Sequence, residues 1–194
     1  AEAEKWYQLA AEQGDVDAVF NLAKLYYFQG RYVEAEPLYK QAIVHGEKSY
    51  GLNDPKLAEN LTDLALLYHD QGRNSEAEPL YRRSLIINEK FYGSNHPNIS
   101  VSLNNLASLY HDQGRYVEAE PLYKQAIIIE ENFDYSNHSG ALLNLANLYN
   151  DQERHAEAQL LYKSYLTITE KALEPHHPDI AMVLNNLANL YAKQ

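Results

Sequence analysis

Histidine side chains are the first candidates for chemistry in this sequence, since imidazole can bind a metal ion and transfer protons near neutral pH. The chain has eight of them. His69 and His111 occupy equivalent places in successive copies of a repeated pattern, so they do not form an i, i+4 pair on one helix. No carboxylate or third histidine is evidently placed to complete a site with them. The sequence therefore predicts no metal site and no cofactor.

The remaining histidines of interest lie between repeated segments. His96 and His177 each precede a proline, and Asp54 takes the same place in an earlier copy. His176 and His177 are adjacent, which is a poor arrangement for chelating one ion. We interpret these residues as markers of the connections between helices.

Motifs typical of catalytic sites are missing from the sequence. It has no cysteine, no G-x-S-x-G elbow, no glycine-rich phosphate loop and no H-E-x-x-H pair. Carboxylates are plentiful, but six of them recur at predicted helix starts, where they complement the positive end of the helix dipole. These six are Glu34, Glu36, Glu76, Glu78, Glu118 and Glu120. We expect that the chain is not an enzyme.

Tyrosine is unusually common, with 17 residues against four phenylalanines and one tryptophan. Nine of the tyrosines fall at two positions of the repeat, which predicts a packing role between helices. One position holds Tyr26, Tyr68, Tyr110, Tyr149 and Tyr191, and the other holds Tyr39, Tyr81, Tyr123 and Tyr162.

The repeat organises the elements that carry these residues. Residues 29–43 and 113–127 both read QGRYVEAEPLYKQAI, and residues 71–85 read QGRNSEAEPLYRRSL. Gly30, Gly72 and Gly114 follow one another at a 42-residue period, whereas the fourth copy comes early and has Glu153 in place of glycine. Three residues are therefore missing before the fourth copy. The composition of residues 132–140 places this deletion in a loop there.

Each copy reads as two helices. Apolar residues of the third copy recur at the spacing of a buried helical face, and Gly114 then ends the helix in a conformation that glycine tolerates. A second helix starts near Tyr116, with Pro121 close to its first turn. The predicted buried residues are Val101, Leu103, Leu106, Ala107 and Tyr110 in the first helix, and Ala119, Leu122, Tyr123, Ala126 and Ile127 in the second.

This pattern predicts an all-α chain in which stacked helix pairs bury faces that no pair could bury alone. We predict one array over residues 1–194. It begins with a lone helix at 1–13, continues with repeats at 15–51, 55–93, 97–135 and 138–174, and ends with an unpaired first helix at 178–194. Apolar residues of that last helix, Leu184, Leu187 and Tyr191, would be only partly covered, which predicts end-to-end self-association.

The order of small and large residues resembles the tetratricopeptide repeat, as in Leu106, Ala107, Tyr110, Gly114 and Ala119. The 42-residue period and the stretch LNNLASLYHDQGRYVEAEPLYKQA resemble the kinesin light chain type of this repeat. Residues 5–18, KWYQLAAEQGDVDA, resemble the end of a Sel-type repeat. The resemblance implies a right-handed superhelical α-solenoid of antiparallel helix hairpins, a protein-binding scaffold.

In this family the first helices line a concave groove that binds peptides or helices. Here one position of those helices is almost entirely amide, with Asn21, Asp63, Asn105, Asn144 and Asn186. Side-chain amides both donate and accept hydrogen bonds and could pair with an extended backbone. They could equally bond to neighbouring repeats and hold the stack in register, and the sequence leaves both alternatives open.

Departures from the repeat point to specificity. Phe20, Tyr27, Phe28 and Leu66 could form an apolar pocket at the N-terminal end, or the preceding helix could simply pack on Phe20 or Tyr27. Asp63, Asp70, Asp112 and Asp151 make the groove mildly acidic, which favours a neutral or basic partner segment. The remaining candidate groove residues are Lys24, His69, Asn104, Ser108, His111, Leu143, Asn147, Asn185 and Asn189.

Composition restricts the partners further. The net charge is −11, and the basic residues do not cluster, so we expect no nucleic-acid binding. No apolar run approaches the ~20 residues that span a bilayer, so we expect no membrane insertion. The lack of cysteine is consistent with a reducing cytoplasm. We predict a scaffold that binds a protein or peptide segment, with a spacer or sensor arm of a larger signalling protein as the alternative.

Overall fold

The protein is described by a computed structural model that covers residues 2–133, 140–174 and 177–192. These residues form ten α-helices and no strand. The helices are α1 (Glu2–Glu12), α2 (Val16–Phe28), α3 (Tyr32–Ser49), α4 (Pro55–Asp70), α5 (Asn74–Tyr92), α6 (Pro97–Asp112), α7 (Tyr116–Asn132), α8 (Gly140–Asp151), α9 (His155–Ala172) and α10 (Pro178–Ala192). The predicted all-α class is confirmed.

The chain divides into two compact units. Unit 1 is Ala1–Ser94, with α1 to α5, and unit 2 is Asn95–Gln194, with α6 to α10. In unit 1, α2 packs along α3 and α4 along α5, while α1 lies on α2 and α3 on α4. In unit 2, α6 packs along α7 and α8 along α9, with α7 on α8 and α9 on α10. The single array with the repeat boundaries given above stays a prediction.

The helix pairs bury most of the predicted apolar positions, although Leu122 and Ile127 of α7 are only half-buried. Leu103, Leu106, Ala107 and Tyr110 are at most 3% exposed. Val101 is an exception, because it is 58% exposed and lies outside the buried face to which we assigned it. Among the repeated tyrosines, Tyr191 also differs, since its ring is half exposed. The other eight are buried, which confirms their packing role: Tyr26, Tyr39, Tyr68, Tyr81, Tyr110, Tyr123, Tyr149 and Tyr162.

The connections between helices use the marker residues. Gly114 has a φ of 70°, and Glu153 adopts almost the same left-handed conformation at 59°, so the fourth copy keeps the turn without the glycine. At helix starts, Asp54 accepts a hydrogen bond from the Lys56 amide, and His96 Nδ1 accepts one from the Asn98 amide. Histidine therefore serves here as an N-terminal cap. Residues 134–139, which are most of the segment 132–140 where we placed the deletion, and His176 lie outside the described residues.

An arginine joins consecutive repeats, and we call this arrangement the arginine clip. Arg73 lies with its guanidinium carbon 4.1 Å from the centre of the Tyr68 ring, and it pairs with Glu36 of the preceding repeat at 2.6 Å and with Glu76 at 2.7 Å. The Arg73 guanidinium lowers the pKa of Glu36 to about 2. Tyr68 donates a hydrogen bond to the same carboxylate.

The clip recurs along the chain. Arg154 stacks on Tyr149 at 3.9 Å and pairs with Glu120 and Glu157. Equivalent stacking joins Arg31 to Tyr26 and Arg115 to Tyr110. In both units the clip joins the second helix of one repeat to the two helices of the next repeat, α3 to α4 and α5 in unit 1 and α7 to α8 and α9 in unit 2.

Candidate functional site

In unit 1 the candidate residues lie on α2 and α4, which contact each other. Asn21, Lys24, Asp63, Leu66 and His69 are half-buried. Phe20 differs from the predicted pocket residue, because it is only 8% exposed and packs edge-on against Tyr39 at 5.8 Å between ring centres. The covering ring belongs to α3 of the same repeat, so Phe20 is a core residue rather than an anchor for a partner.

A charged group occupies the middle of this surface. Lys24 Nζ lies 3.3 Å from Glu59 Oε1 and 3.5 Å from Asp63 Oδ2. Burial raises the pKa of Asp63 to about 6, and the Lys24 ammonium opposes that shift. Two carboxylates thus share one ammonium, which keeps this part of unit 1 acidic at neutral pH, as the sequence predicts.

Aromatic side chains cluster where α2 ends. The Tyr27 ring lies 5.4 Å from Phe28 and 5.7 Å from Tyr32, between ring centres. Tyr27 donates a hydrogen bond of 2.5 Å to Asp70 Oδ2 on α4. Phe28 is 77% exposed. Tyr27 and Phe28 therefore form an apolar surface without Phe20, and Tyr32 extends it.

In unit 2 the candidate residues lie on α6, α8 and α10, and amides link these helices. Asn144 Nδ2 donates to Asn104 Oδ1 at 3.0 Å, so α8 is tied to α6. Asn186 Nδ2 lies 3.5 Å from Asn147 Oδ1, which also accepts a bond of 2.6 Å from the Tyr162 hydroxyl. The amides thus bond to neighbouring repeats, and each keeps further donors or acceptors that these bonds do not use. Asn105, Ser108 and Leu143 are half-buried, and Asn185 and Asn189 are exposed.

A cavity of about 620 Å³ opens beside these amides. His111 and Asp151 lie on its wall, with Nε2 and Oδ2 2.9 Å apart. The sequence did not reveal this pair, because His111 and Asp151 are 40 positions apart. The full lining is His111, Asn147, Asn150, Asp151, Tyr162, Asn186, Asn189 and Ala192.

Three residues of these surfaces were missed as candidates from the sequence. The repeat pattern predicts only a packing role for Tyr162, although its hydroxyl reaches the cavity wall. Asn150 and Tyr32 are not among the residues that the sequence predicts for the groove. Comparing the copies position by position could have found them, because Asn150 replaces His111 and Tyr32 aligns with Asn74, Tyr116 and His155.

Within residues 2–133, 140–174 and 177–192, no group of three or more histidine, aspartate or glutamate side chains could hold a metal ion. None of the helices in this described part is both long and apolar enough to cross a membrane.

Solved structures share this fold. BtubC (BKLC) from P. vanneervenii is 24% identical, with a TM-score of 0.81 over 98% of this chain and 79% of that one. A protein of Podosopora anserina, described as a putative kinesin light chain with nearly identical TPR-like repeats, is 27% identical, with a TM-score of 0.77 over 91% of this chain and 85% of that one. A single-residue variant of that protein has a TM-score of 0.78. A comparison with curated proteins gave no match.

The family profile named tetratricopeptide repeat matches residues 15–90, 61–129 and 138–194, which together are most of the sequence. Helix α1 precedes the matched range, so its likeness to a Sel-type repeat stays a prediction. With the 42-residue period and the structural likeness, these matches show that the chain belongs to the tetratricopeptide repeat family, in its kinesin light chain type.

Proposed function

We propose that this chain is a non-catalytic scaffold that binds an extended peptide or protein segment along the face formed by its first helices. Tetratricopeptide repeats mediate protein–protein interaction, and that general role is this chain's by membership of the family. The finer proposal is carried by one observation in unit 2, where partly used amides line an open cavity of about 620 Å³.

The amides support this proposal through their remaining hydrogen-bonding capacity. Asn144 uses one amide proton for Asn104, so a second proton and the carbonyl oxygen remain for another partner. Asn105 is half-buried at the equivalent position of α6. An extended segment carries unpaired backbone N–H donors and C=O acceptors, and amide side chains can form hydrogen bonds with both. The same amide can therefore hold the repeats in register and contact a ligand.

Charge sets the class of partner that we propose. In unit 1, Lys24 is shared between Glu59 and Asp63, and in unit 2 Asp151 lies on the cavity wall. A neutral or basic segment would approach these surfaces more readily than an acidic one.

The proposal is tested by selecting binding peptides from a phage-displayed library of random 12-residue peptides on the wild-type chain. Selected peptides are then measured against a variant that carries Asn105→Trp and Asn144→Trp. We expect the indole rings to fill the face and weaken binding at least tenfold. Gln125→Trp on α7 is the matched control, because Gln125 is an exposed polar side chain on a second helix. Peptides that bind all three proteins equally would refute the groove assignment.

A structural spacer that self-associates without a ligand is the second candidate. Exposed apolar residues on α10 favour it, since Leu184 is 49% exposed and Met182 is 42% exposed. Failure to select any peptide, together with concentration-dependent association, would favour this role over the first.

A further inference from the structure

The arginine clip shows how this fold recognises a guanidinium group. Arg73 lies over the Tyr68 ring at 4.1 Å while its nitrogens pair with the Glu36 and Glu76 carboxylates. Arg154 repeats the arrangement on Tyr149. A planar cation on a ring face, held at its edge by carboxylates, is a favourable combination because guanidinium is weakly hydrated and forms paired hydrogen bonds.

The aromatic cluster of unit 1 offers the same groups without an arginine. Tyr27, Phe28 and Tyr32 supply three rings, and Asp70 supplies the carboxylate. Phe28 is 77% exposed, so a face of its ring is available to solvent. Asp70 is also exposed, and its Oδ2 is the oxygen that accepts from Tyr27, which leaves Oδ1 for another donor. In the described part of the chain no lysine or arginine pairs with Asp70.

The Tyr27 hydroxyl orients this carboxylate. Burial and the hydrogen bond to Asp70 raise the pKa of Tyr27 well above its ordinary value, so the hydroxyl stays protonated and continues to donate. The bond links two repeats, because Tyr27 is on α2 and Asp70 is on α4. His111 and Asp151 form the corresponding bond in unit 2. The link between Tyr27 and Asp70 engages neither the exposed ring of Phe28 nor Asp70 Oδ1.

This combination is particular to the first repeat. The position of Phe28 holds Asp70, Asp112 and Asp151 in the later copies. Glu59 and Asp63 share the Lys24 ammonium, and Asp70 lies further along the same helix α4 with no lysine or arginine pair in the described part of the chain. The surroundings therefore attract a positive charge and repel an acidic segment.

We propose that Tyr27, Phe28, Tyr32 and Asp70 form a binding site for an arginine side chain of the partner segment. The guanidinium lies on the exposed face of Phe28 and donates to Asp70 Oδ1. The site rests on the proposed function for its biological meaning, because it names a residue that the bound segment carries. Its chemistry can be tested without knowing that segment.

The experiment uses the full chain labelled with 4-fluorophenylalanine, which gives one fluorine resonance for each of the four phenylalanines. Phe28→Tyr assigns the Phe28 resonance by removing it. The probe is the blocked pentapeptide acetyl-Gly-Ser-Arg-Ser-Gly-amide, titrated against analogues with lysine or glutamine at the centre. We expect a saturable shift of the Phe28 resonance, with arginine binding about fivefold more tightly than glutamine. The resonances of Phe91 and Phe133, which are also exposed, should not move.

Substitutions then separate the site from general attraction to an acidic surface. Asp70→Asn should weaken arginine binding severalfold, and Tyr32→Asn, the residue found at Asn74, should do the same. Tyr116→Asn makes the same change at the equivalent position of unit 2 and should have no effect. The assignment is overturned if the Phe28 resonance does not shift, if the glutamine peptide shifts it as strongly, or if Asp70→Asn leaves the affinity unchanged.

The two proposals can fail independently. The pentapeptide should still shift Phe28 in the variant with Asn105→Trp and Asn144→Trp, because those residues lie in unit 2. Suppose that the selected 12-residue peptides bind that variant as tightly as they bind the wild type, while the pentapeptide still shifts the Phe28 resonance. The groove proposal is then wrong, and the arginine site remains. If instead the selected peptides lose affinity for that variant but the pentapeptide does not shift the Phe28 resonance, the arginine site is wrong and the groove proposal remains.

Discussion

At the scale of single residues, Glu153 carries a backbone conformation that glycine provides in the other copies. Its φ is 59°, and the Arg154 amide donates to the Tyr149 carbonyl as the Arg115 amide does to Tyr110. A left-handed conformation costs a non-glycine residue ~1–2 kcal/mol, and the greater freedom of glycine in the unfolded chain offsets part of the gain. We predict that Glu153→Gly raises the free energy of unfolding by about 0.5–1 kcal/mol, measured by urea denaturation.

The control for this prediction is the reverse change at the matching turn. Gly114→Ala should lower the free energy of unfolding, because Gly114 has a φ of 70° that alanine adopts only with strain. The added carbon would meet nothing within 4 Å, so a steric clash does not contribute to the effect. A stabilised Gly114→Ala protein, or an unchanged Glu153→Gly protein, would show that these turns tolerate side chains at no cost.

Glu130 on α7 predicts a pH dependence of stability. Its Oε2 is buried with no hydrogen-bond partner among the described residues, and burial raises its pKa to about 7. The folded state therefore holds this proton more tightly than the unfolded state, whose carboxyl has an ordinary pKa near 4.5. The stabilisation is present at low pH and is lost as the pH rises through about 7.

We predict that Glu130→Gln reduces the fall in Tm between pH 5 and pH 8. Burial also raises the pKa of Asp63, to about 6, so Asp63 gives a pH dependence of the same sign. The Glu130→Gln variant should therefore keep part of the fall in Tm. Glu131→Gln is the control, since the neighbouring Glu131 is exposed. Equal pH profiles for the wild type and Glu130→Gln would contradict the assignment.

The sequence predicted single residues well where their role is local. Gly114 and the prolines mark helix ends because backbone conformation depends on the residue itself. It did not reveal that Arg73 reaches Glu36 or that Asp151 reaches His111, since those residues are 37 and 40 positions apart. Such pairs depend on how helices stack, and only the aligned repeat positions hint at them.

At the scale of elements, the arginine clip is the contact that ties one repeat to the next at the ends of the first helices. Arg73 contacts α3, α4 and α5 through Glu36, Tyr68 and Glu76. Lysine keeps the charge but lacks the planar fork that can stack and form paired hydrogen bonds. We predict that Arg73→Lys lowers Tm.

The matched control is Arg83→Lys. Arg83 pairs with Glu47 through one contact of 2.6 Å, and lysine can replace a single contact of this kind. The fall in Tm should therefore be larger for Arg73→Lys than for Arg83→Lys. Equal effects in a thermal melt would mean that the ring contact and the second carboxylate add nothing.

Helix pairs were predictable as elements because a period of 3.6 residues places buried positions on one face. The assignment failed at Val101, which is near the start of α6 and 58% exposed. Hydrophobicity alone cannot separate a residue at the edge of a buried face from one outside it. The opposite error occurred at Phe20, which we expected on an exposed pocket but which is buried. Its burial depends on the Tyr39 ring of the next helix.

At the scale of the whole molecule, the exposed apolar side chains of α10 predict self-association. Leu184 is 49% exposed and Tyr191 is 50% exposed, whereas Leu187, which we also expected to be partly covered, is only 7% exposed. We predict that the apparent mass from light scattering rises with protein concentration and that Leu184→Glu restores the monomer mass. A wild-type mass that stays monomeric at high concentration would exclude this association.

The arginine clip has a consequence for how such a gene can change length. Residues 29–43 recur identically at 113–127, two repeat periods later, so unequal recombination between the two copies would delete a segment two repeats long. Glu36 would then take the place of Glu120. It would precede Arg154 by the same number of residues as Glu120 does in the present chain, where Glu120 and Arg154 form an ion pair. The shortened protein could re-form its clip without any compensating mutation.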